Sequence, residues 1–173
     1  MQRYLRHVFL AAVAAAFVVT PAFGAGTLTE TAGVASPVSA TLSGSDQTAT
    51  YTLPITVSDT RTGANANGWN LTITSTQFAT AVAPIRTLPT NASTIASAPS
   101  VTCTTSCPTN SIGYPVVVPA GATPPTAVKF FNAANGTGKG ASTITPSVTV
   151  NIPGNTFTGT YTSTITLAIV AGP

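Results

Sequence analysis

Apolar and polar residues alternate along four stretches of the chain, a pattern typical of strands that bury one face. The apolar positions of these stretches are Tyr51, Leu53, Ile55 and Val57; Trp69, Leu71 and Ile73; Ile144, Val148, Val150 and Ile152; and Tyr161, Ile165, Leu167 and Ile169. Thr and Asn occupy most of the positions between them. This alternation predicts two antiparallel sheets packed face to face, because each strand then buries one face and exposes a hydroxyl-lined one.

The pattern predicts an all-β fold, an antiparallel β-sandwich of about seven to nine strands with long loops. Residues 34–42, 115–118 and 127–131 are weaker strand candidates, and residues 79–125 are expected to form long loops with a few short strands. Abundant Thr, Val and Ile favour strands, since a branched Cβ suits a pleated backbone. A disordered stalk rich in Thr, Ser and Pro is the alternative, but disorder does not maintain a period of two. Pro54 and Pro146 interrupt strand-like runs and predict edges or bulges.

The first 24 residues have the layout of a secretory signal peptide. Arg3 and Arg6 precede a short apolar stretch, and Ala22-Phe23-Gly24 fits a small-x-small cleavage site. We expect cleavage after Gly24, which leaves residues 25–173 as a single exported domain at the cell surface or in the medium, with no membrane insertion after cleavage. An uncleaved N-terminal anchor is the alternative, although the apolar stretch is shorter than the roughly 20 residues of a spanning helix.

The charge that remains after removal of the predicted leader is small. The remaining cations are Arg61, Arg86, Lys129 and Lys139, and the remaining anions are Glu30, Asp46 and Asp59. Their net charge is +1. These cations are scattered along the sequence, whereas nucleic acids and anionic membranes are bound by clustered Lys and Arg. We therefore expect neither a nucleic-acid partner nor electrostatic membrane binding.

Few residues could carry acid–base catalysis. The only His of the sequence, His7, lies in the predicted leader, so the exported chain has no Ser/His or Cys/His arrangement. Glu30 lies near the expected N-terminus, where order is usually poor, and Asp46 and Asp59 lie in predicted turns, so no two carboxylates are expected to face each other. Residues 135–140 lack the spacing of a phosphate-binding loop and are predicted to form a hairpin tip. The chain is predicted not to be an enzyme and to need no cofactor.

Cys103 and Cys107 are the only cysteines of the sequence. In an exported protein two cysteines usually pair, and three intervening residues in a turn can bring the sulfurs together. A redox site would show a Cys-x-x-Cys spacing, and a metal site would need two further ligands. We predict a structural disulfide.

Two segments together resemble the signatures of WxL-domain surface proteins of Gram-positive and related bacteria. Val57-Ser58-Asp59-Thr60-Arg61, a Gly-containing loop and Gly68-Trp69-Asn70-Leu71-Thr72 resemble the first signature. Tyr161, Thr164-Ile165-Thr166-Leu167 and the terminal Gly172-Pro173 resemble the second, with Ile165 in the place of the family's second Trp. The positions that carry the resemblance are Asp59, Arg61, Trp69, Leu71, Tyr161 and Leu167.

The resemblance implies non-covalent attachment to the cell wall, with peptidoglycan as the polymer, alongside other surface proteins. An exposed Trp69 could stack on a sugar ring, but we favour a core position because Leu71 and Ile73 share its face. Asp59 and Arg61 are expected to pair locally and hold the turn. The alternative function is a structural subunit of an extracellular filament or surface layer, self-assembled by strand addition with Thr27–Leu42 as the donated segment.

Overall fold

The computed structural model describes residues 26–63 and 67–173 in full, together with the backbone of residues 6–16. The strands are β1 (Arg6–Ala16), β2 (Leu28–Ala32), β3 (Val38–Leu42), β4 (Gln47–Thr52), β5 (Ile55–Asp59), β6 (Trp69–Thr76), β7 (Ala79–Thr80), β8 (Ser93–Ile95), β9 (Ser100–Cys103), β10 (Val116–Val117), β11 (Ala120–Gly121), β12 (Val128–Ala133), β13 (Gly140–Thr145), β14 (Ser147–Ile152) and β15 (Gly159–Ala171). The described residues contain no α-helix, which confirms the all-β class. The strands outnumber the seven to nine predicted, because residues 79–125 form several strands of only two to four residues.

The strands form three sheets. The seven-stranded sheet has the order β11-β6-β15-β1-β3, with β12 beside β6 and β7 beside β15. The four-stranded sheets have the orders β10-β8-β14-β4 and β2-β5-β13-β9. Most neighbours are antiparallel, and the β1–β15 and β11–β6 pairs are parallel. The sheets pack together around one shared core, as expected for a sandwich.

The two four-stranded sheets are joined by a bent ribbon. Strand β4 pairs with β14 in one sheet, and the strands that adjoin them in sequence, β5 and β13, pair in the other. Pro54 separates β4 from β5, and Pro146 separates β13 from β14. The two prolines lie at the same level, since the amide of Leu53 donates to the carbonyl of Pro146 at 3.2 Å. The chain therefore changes sheets where proline removes a ladder donor.

The core consists of the apolar positions that the alternation predicts. Every one of the fifteen apolar residues in the four alternating stretches is buried. Strands β6 and β15 lie side by side in the seven-stranded sheet, where Leu71 is opposite Ile169 and Ile73 is opposite Leu167. Each such side chain contributes about 1.5–3 kcal/mol of hydrophobic stabilisation when fully buried. The prediction that Trp69 begins a core strand is confirmed, since its side chain is 0% exposed.

Two predictions concern connections between strands. Cys103 and Cys107 form the predicted disulfide, with Cα atoms 5.3 Å apart. The prediction of a hairpin tip at residues 135–140 is wrong. This segment joins β12 of the seven-stranded sheet to β13, which pairs with β5 and β9 in a four-stranded sheet. It is a crossing between sheets, and its Gly residues let the chain pass closely over the core.

Strand β1 lies inside the segment predicted to be the leader. Its backbone pairs in parallel with Gly159 to Leu167 of β15 and antiparallel with Val38 to Leu42 of β3. Residues 1–5 and 17–25, including the expected cleavage site, lie outside the described residues. Within the described part of the chain, none of the secondary structure is a helix long and apolar enough to cross a membrane. Cleavage after Gly24 stays a prediction.

Glu30 is ordered and buried, so the prediction that it lies in a poorly ordered terminus is wrong. It is the middle residue of β2, opposite Val57 of β5, and it is 2% exposed. Strand β2 also packs against β15 and β1 of the seven-stranded sheet. Neither carboxylate oxygen has a hydrogen-bond partner among the described residues. Burial without a partner disfavours the ionised form and raises the pKa of Glu30 above 4.5.

We expect Glu30→Gln to raise the free energy of unfolding of the full chain at neutral pH by about 1 kcal/mol, because a neutral amide costs less to bury than an ionised carboxylate. The folded-state pKa is raised, so this residue destabilises the fold as pH rises above 4.5, and its effect is absent in more acidic solution. The gain in the variant should therefore vanish near pH ~4.

Urea unfolding followed by the fluorescence of Trp69 measures this difference. Asp46→Asn is the control, since Asp46 lies in an exposed turn where its Oδ1 accepts from the amide of Gly154 at 2.8 Å. A Glu30→Gln variant that is less stable than the wild type at neutral pH would mean that the carboxylate is favourably paired.

Candidate binding surface

Asp59 and Arg61 form a buried ion pair where strand β5 ends. Asp59 is 2% exposed and Arg61 is 6% exposed. Arg61 donates from its backbone amide and from Nε to Oδ1 of Asp59 at 3.0 and 2.9 Å, and from Nη2 to Oδ2 at 2.9 Å. The predicted local pair is confirmed. Unlike an exposed pair, this pair is buried, so the guanidinium depends on the Asp59 carboxylate to balance its charge.

The same guanidinium reaches the beginning of the next motif segment. Nη2 of Arg61 donates to the carbonyl of Gly68 at 2.7 Å, which fixes the residue before Trp69. The carbonyl of Arg61 in turn accepts from Nζ of Lys139, in the crossing between β12 and β13. Gly68 has a φ of 77°, and a Cβ there would lie 2.2 Å from the carbonyl oxygen of Ala133, so only glycine fits.

Both the indole N–H and the aromatic ring of Trp69 have contact partners. Its Nε1 donates to the carbonyl of Gly138 at 3.1 Å, and its ring lies 5.9 Å from the ring of Phe131 between centroids. A Cβ on Gly138 would come within 2.8 Å of Nε1, so the crossing backbone lies directly on the indole. Trp69 therefore has no free face on which a sugar could stack.

The second motif segment contacts the beginning of the first motif's strand, at Gly68 and Asn70. The amide of Gly172 donates to the carbonyl of Gly68 at 3.0 Å, and Nδ2 of Asn70 donates to the carbonyl of Gly172 at 2.8 Å. Nζ of Lys129 donates to the carbonyl oxygen of Pro173 at 3.1 Å. The two sequence signatures thus meet in space at one end of the seven-stranded sheet.

All six motif positions named from the sequence are buried. The group comprises Asp59, Arg61, Trp69, Leu71, Tyr161 and Leu167. The structure brings Asp59, Arg61 and Trp69 together at the end of β5 and the beginning of β6, whereas Tyr161 lies near the beginning of β15. These side chains can hold strands in place, but they do not form a surface that a polymer can contact.

In the part of the chain that the structure describes, no three His, Cys, Asp or Glu residues lie close enough to hold a metal ion. Asp59 is engaged by Arg61, and Glu30 and Asp46 lie in separate strands and turns.

A different exposed surface combines a cation with apolar side chains, and sequence reasoning did not identify it. We define the Arg86–Phe157 surface as Val82, Ile85, Arg86 and Phe157. Cζ of Arg86 lies 3.8 Å from the centroid of the Phe157 ring. Phe157 is 56% exposed, and Val82 and Ile85 are 77% and 58% exposed. Large apolar side chains at this exposure, grouped around a cation, are typical of a contact surface.

Two depressions flank the stacked pair. One has a volume of about 460 Å³ and is lined on one side by the loop with Val82 and Pro84. The other, of about 470 Å³, contains polar groups from Gln77, Asn155 and Thr156. Both volumes lie in the range of small-ligand sites, about 300–1,000 Å³. Arg86 and Phe157 line both depressions and form the ridge between them.

Backbone contacts hold this surface in one conformation. The amide of Thr80 donates to the carbonyl of Arg86, and the amide of Arg86 donates to Oγ1 of Thr80, both at 2.9 Å. Oη of Tyr161 donates to the carbonyl of Phe157 at 3.1 Å. Burial raises the pKa of Tyr161, and the nearby positive charge of Arg86 partly offsets that rise. The motif residue Tyr161 thus holds the backbone of Phe157 in place.

The sequence contained one signal for this surface. Phe157 lies between two alternating stretches, in a Gly- and Asn-containing segment where an aromatic side chain has no strand neighbours to share a buried face with. Arg86 follows a similar segment with Pro and Ile. Their stacking depends on the pairing of β7 with β15, which the alternation does not specify.

Comparison with known proteins finds a family model that matches the chain. The family model described as "WxL domain surface cell wall-binding" matches residues 16–173, nearly the whole chain. A search of curated proteins finds no match.

We expect Asp59→Asn to lower the free energy of unfolding by about 3 kcal/mol, because it leaves the buried guanidinium of Arg61 without a balancing charge. Urea unfolding followed by Trp69 fluorescence measures this loss. The matched control is Asp46→Asn, the same substitution in an exposed turn, for which a change within about 0.5 kcal/mol is expected. Equal losses in the two variants would show that the buried pair has no special role.

Proposed function

Because the chain belongs to the family of WxL domain surface cell wall-binding proteins, we propose that it is a non-catalytic, exported protein that associates non-covalently with the bacterial cell envelope by binding peptidoglycan. The family match over residues 16–173 is the observation that carries this proposal. The partners are the wall polymer itself and other proteins of the cell surface.

The surface chemistry is compatible with a carbohydrate partner. Strand faces that point to solvent carry mostly Thr, Ser and Asn, whose hydroxyl and amide groups exchange hydrogen bonds with sugars as readily as with water. The exported chain has a net charge of only +1, so general attraction to polyanions contributes little. Recognition then depends on a particular site rather than on the overall field.

We expect the protein collected from outside the cell to sediment with purified peptidoglycan at micromolar concentrations and to be released by denaturant, because no covalent bond holds it. Sedimentation with peptidoglycan and with cellulose, each followed by gel analysis of pellet and supernatant, measures the association. Cellulose controls for adsorption to any insoluble glycan. Equal sedimentation with the two polymers, or none with peptidoglycan, would contradict the proposal.

A second candidate function, the subunit of a filament or surface layer, is favoured by the position of strand β1. This strand lies between β3 and β15 but belongs to the segment that we expect to be removed. Without it, β15 would lose its neighbour on one edge along Gly159 to Leu167, while β7 and β6 stay paired with its other edge, and β3 would lose the strand it pairs with in its sheet. An open edge of that length, with few charges, can accept a strand from another chain.

Assembly by strand addition would use a different segment from the one that the sequence suggested. The sequence suggested Thr27–Leu42 as the donated strand, yet β2 is paired with β5 in its own chain and buries Leu28. The acceptor space beside β15 is therefore the better-supported element.

We expect the exported protein to lack residues 1–24 by intact mass and to bind a synthetic peptide with the sequence of residues 6–16. If strand addition drives assembly, this peptide should also convert oligomers to monomers in size-exclusion chromatography. A peptide of the same composition with two central prolines is the control, since proline removes ladder donors. A monomeric exported protein that ignores the peptide, with β3 closed against β15, would contradict assembly by this route.

A further inference from the structure

The charged side chains of the described residues differ in how they are engaged. Arg61 is paired with Asp59, while Lys139 and Lys129 donate to backbone carbonyl oxygens. Arg86 is different, since its guanidinium makes neither an ion pair nor a hydrogen bond in the described part of the chain and lies on the ring of Phe157. It is thus a cation held in place with its donors unused.

Stacking on Phe157 leaves the N–H donors of the Arg86 guanidinium free to bind a ligand. When the planar group lies 3.8 Å above an aromatic ring, its N–H donors point outward in its own plane rather than into the ring. Two of these parallel donors match the two oxygens of a carboxylate. The loop from Thr80 to Arg86 is closed by its two hydrogen bonds, so little conformational entropy is lost on binding.

The surroundings select the kind of anion. The Arg86–Phe157 surface offers one cation among exposed apolar side chains, with the amide and hydroxyl groups of Asn155 and Thr156 beside it. A polymer with a phosphate in every repeat would be held best by several clustered cations, which this surface lacks. One carboxylate on an otherwise uncharged ligand fits better, with C–H groups packing on Val82 and Ile85.

Resting on the function proposed above, we propose that the Arg86–Phe157 surface is the wall-binding site and holds peptidoglycan by a free carboxylate of its stem peptide. The guanidinium of Arg86 donates two N–H bonds to the carboxylate, and the neighbouring sugar ring lies in the depression beside Asn155. The depression lined by Asp46 is a less suitable site, because the Asp46 carboxylate would repel the carboxylate of this ligand.

Sedimentation with peptidoglycan tests the assignment through four variants. We expect Arg86→Gln and Phe157→Ala each to weaken binding about tenfold, as for loss of one charge-assisted bidentate contact. Arg86→Lys keeps the charge but loses the planar fork, so a loss of about threefold is expected. Lys129→Gln removes a cation outside both depressions and should leave binding within about twofold of the wild type. Unchanged urea midpoints and Trp69 fluorescence confirm that each variant is folded.

Chemical treatment of the polymer identifies the anion. Amidation of the peptidoglycan carboxylates should lower wild-type binding to the level of Arg86→Gln, whereas removal of wall phosphates with hydrofluoric acid should leave binding unchanged. The opposite pattern would overturn the carboxylate assignment. If Arg86→Gln binds peptidoglycan as strongly as the wild type does, the site assignment is overturned but the proposed function stands. Failure of the wild type to bind peptidoglycan would overturn both.

Discussion

The guanidinium of Arg61 connects segments that are otherwise held apart by long loops. It satisfies both oxygens of Asp59 at the end of β5 and the carbonyl of Gly68 before β6. The chain end reaches the same carbonyl through the amide of Gly172. A buried charge cannot shift without leaving a partner unpaired, so this contact fixes where β6 begins and where β15 ends. The packing of Trp69 against the sheet crossing follows from that placement.

The sequence predicted the buried faces well, because a period of two has one physical meaning on a pleated strand. Tyr51, Ile55 and Val57 all face the core although Pro54 divides them between two sheets. The local pair of Asp59 and Arg61 and the Cys103–Cys107 disulfide were also predictable, since their partners lie within a few residues. Short sequence separation limits the alternatives that a chain can adopt.

The features that the sequence did not predict depend on contacts between distant segments. Glu30 looked like a residue of a loose terminus, and its burial arises because β2 pairs with β5 and packs against another sheet. The crossing at residues 135–140 looked like a hairpin because glycine permits both, and only the partners of β12 and β13 distinguish them. Arg86 and Phe157 are about 70 residues apart, and neither lies in an alternating stretch, so no local pattern could join them.

Strand β15 gives this architecture a mechanical property. The strand runs from Gly159, near Phe157, to Ala171, next to the Gly172 amide that shares the Gly68 carbonyl with Arg61, a span of roughly 40 Å. If the wall is held at the Arg86–Phe157 surface and tension is applied near Gly172, the force runs along this strand. The hydrogen bonds between Ile165–Ala171 and β6 lie perpendicular to that force and are loaded together, in shear. An anchor built in this way resists pulling better than one whose strands separate one bond at a time.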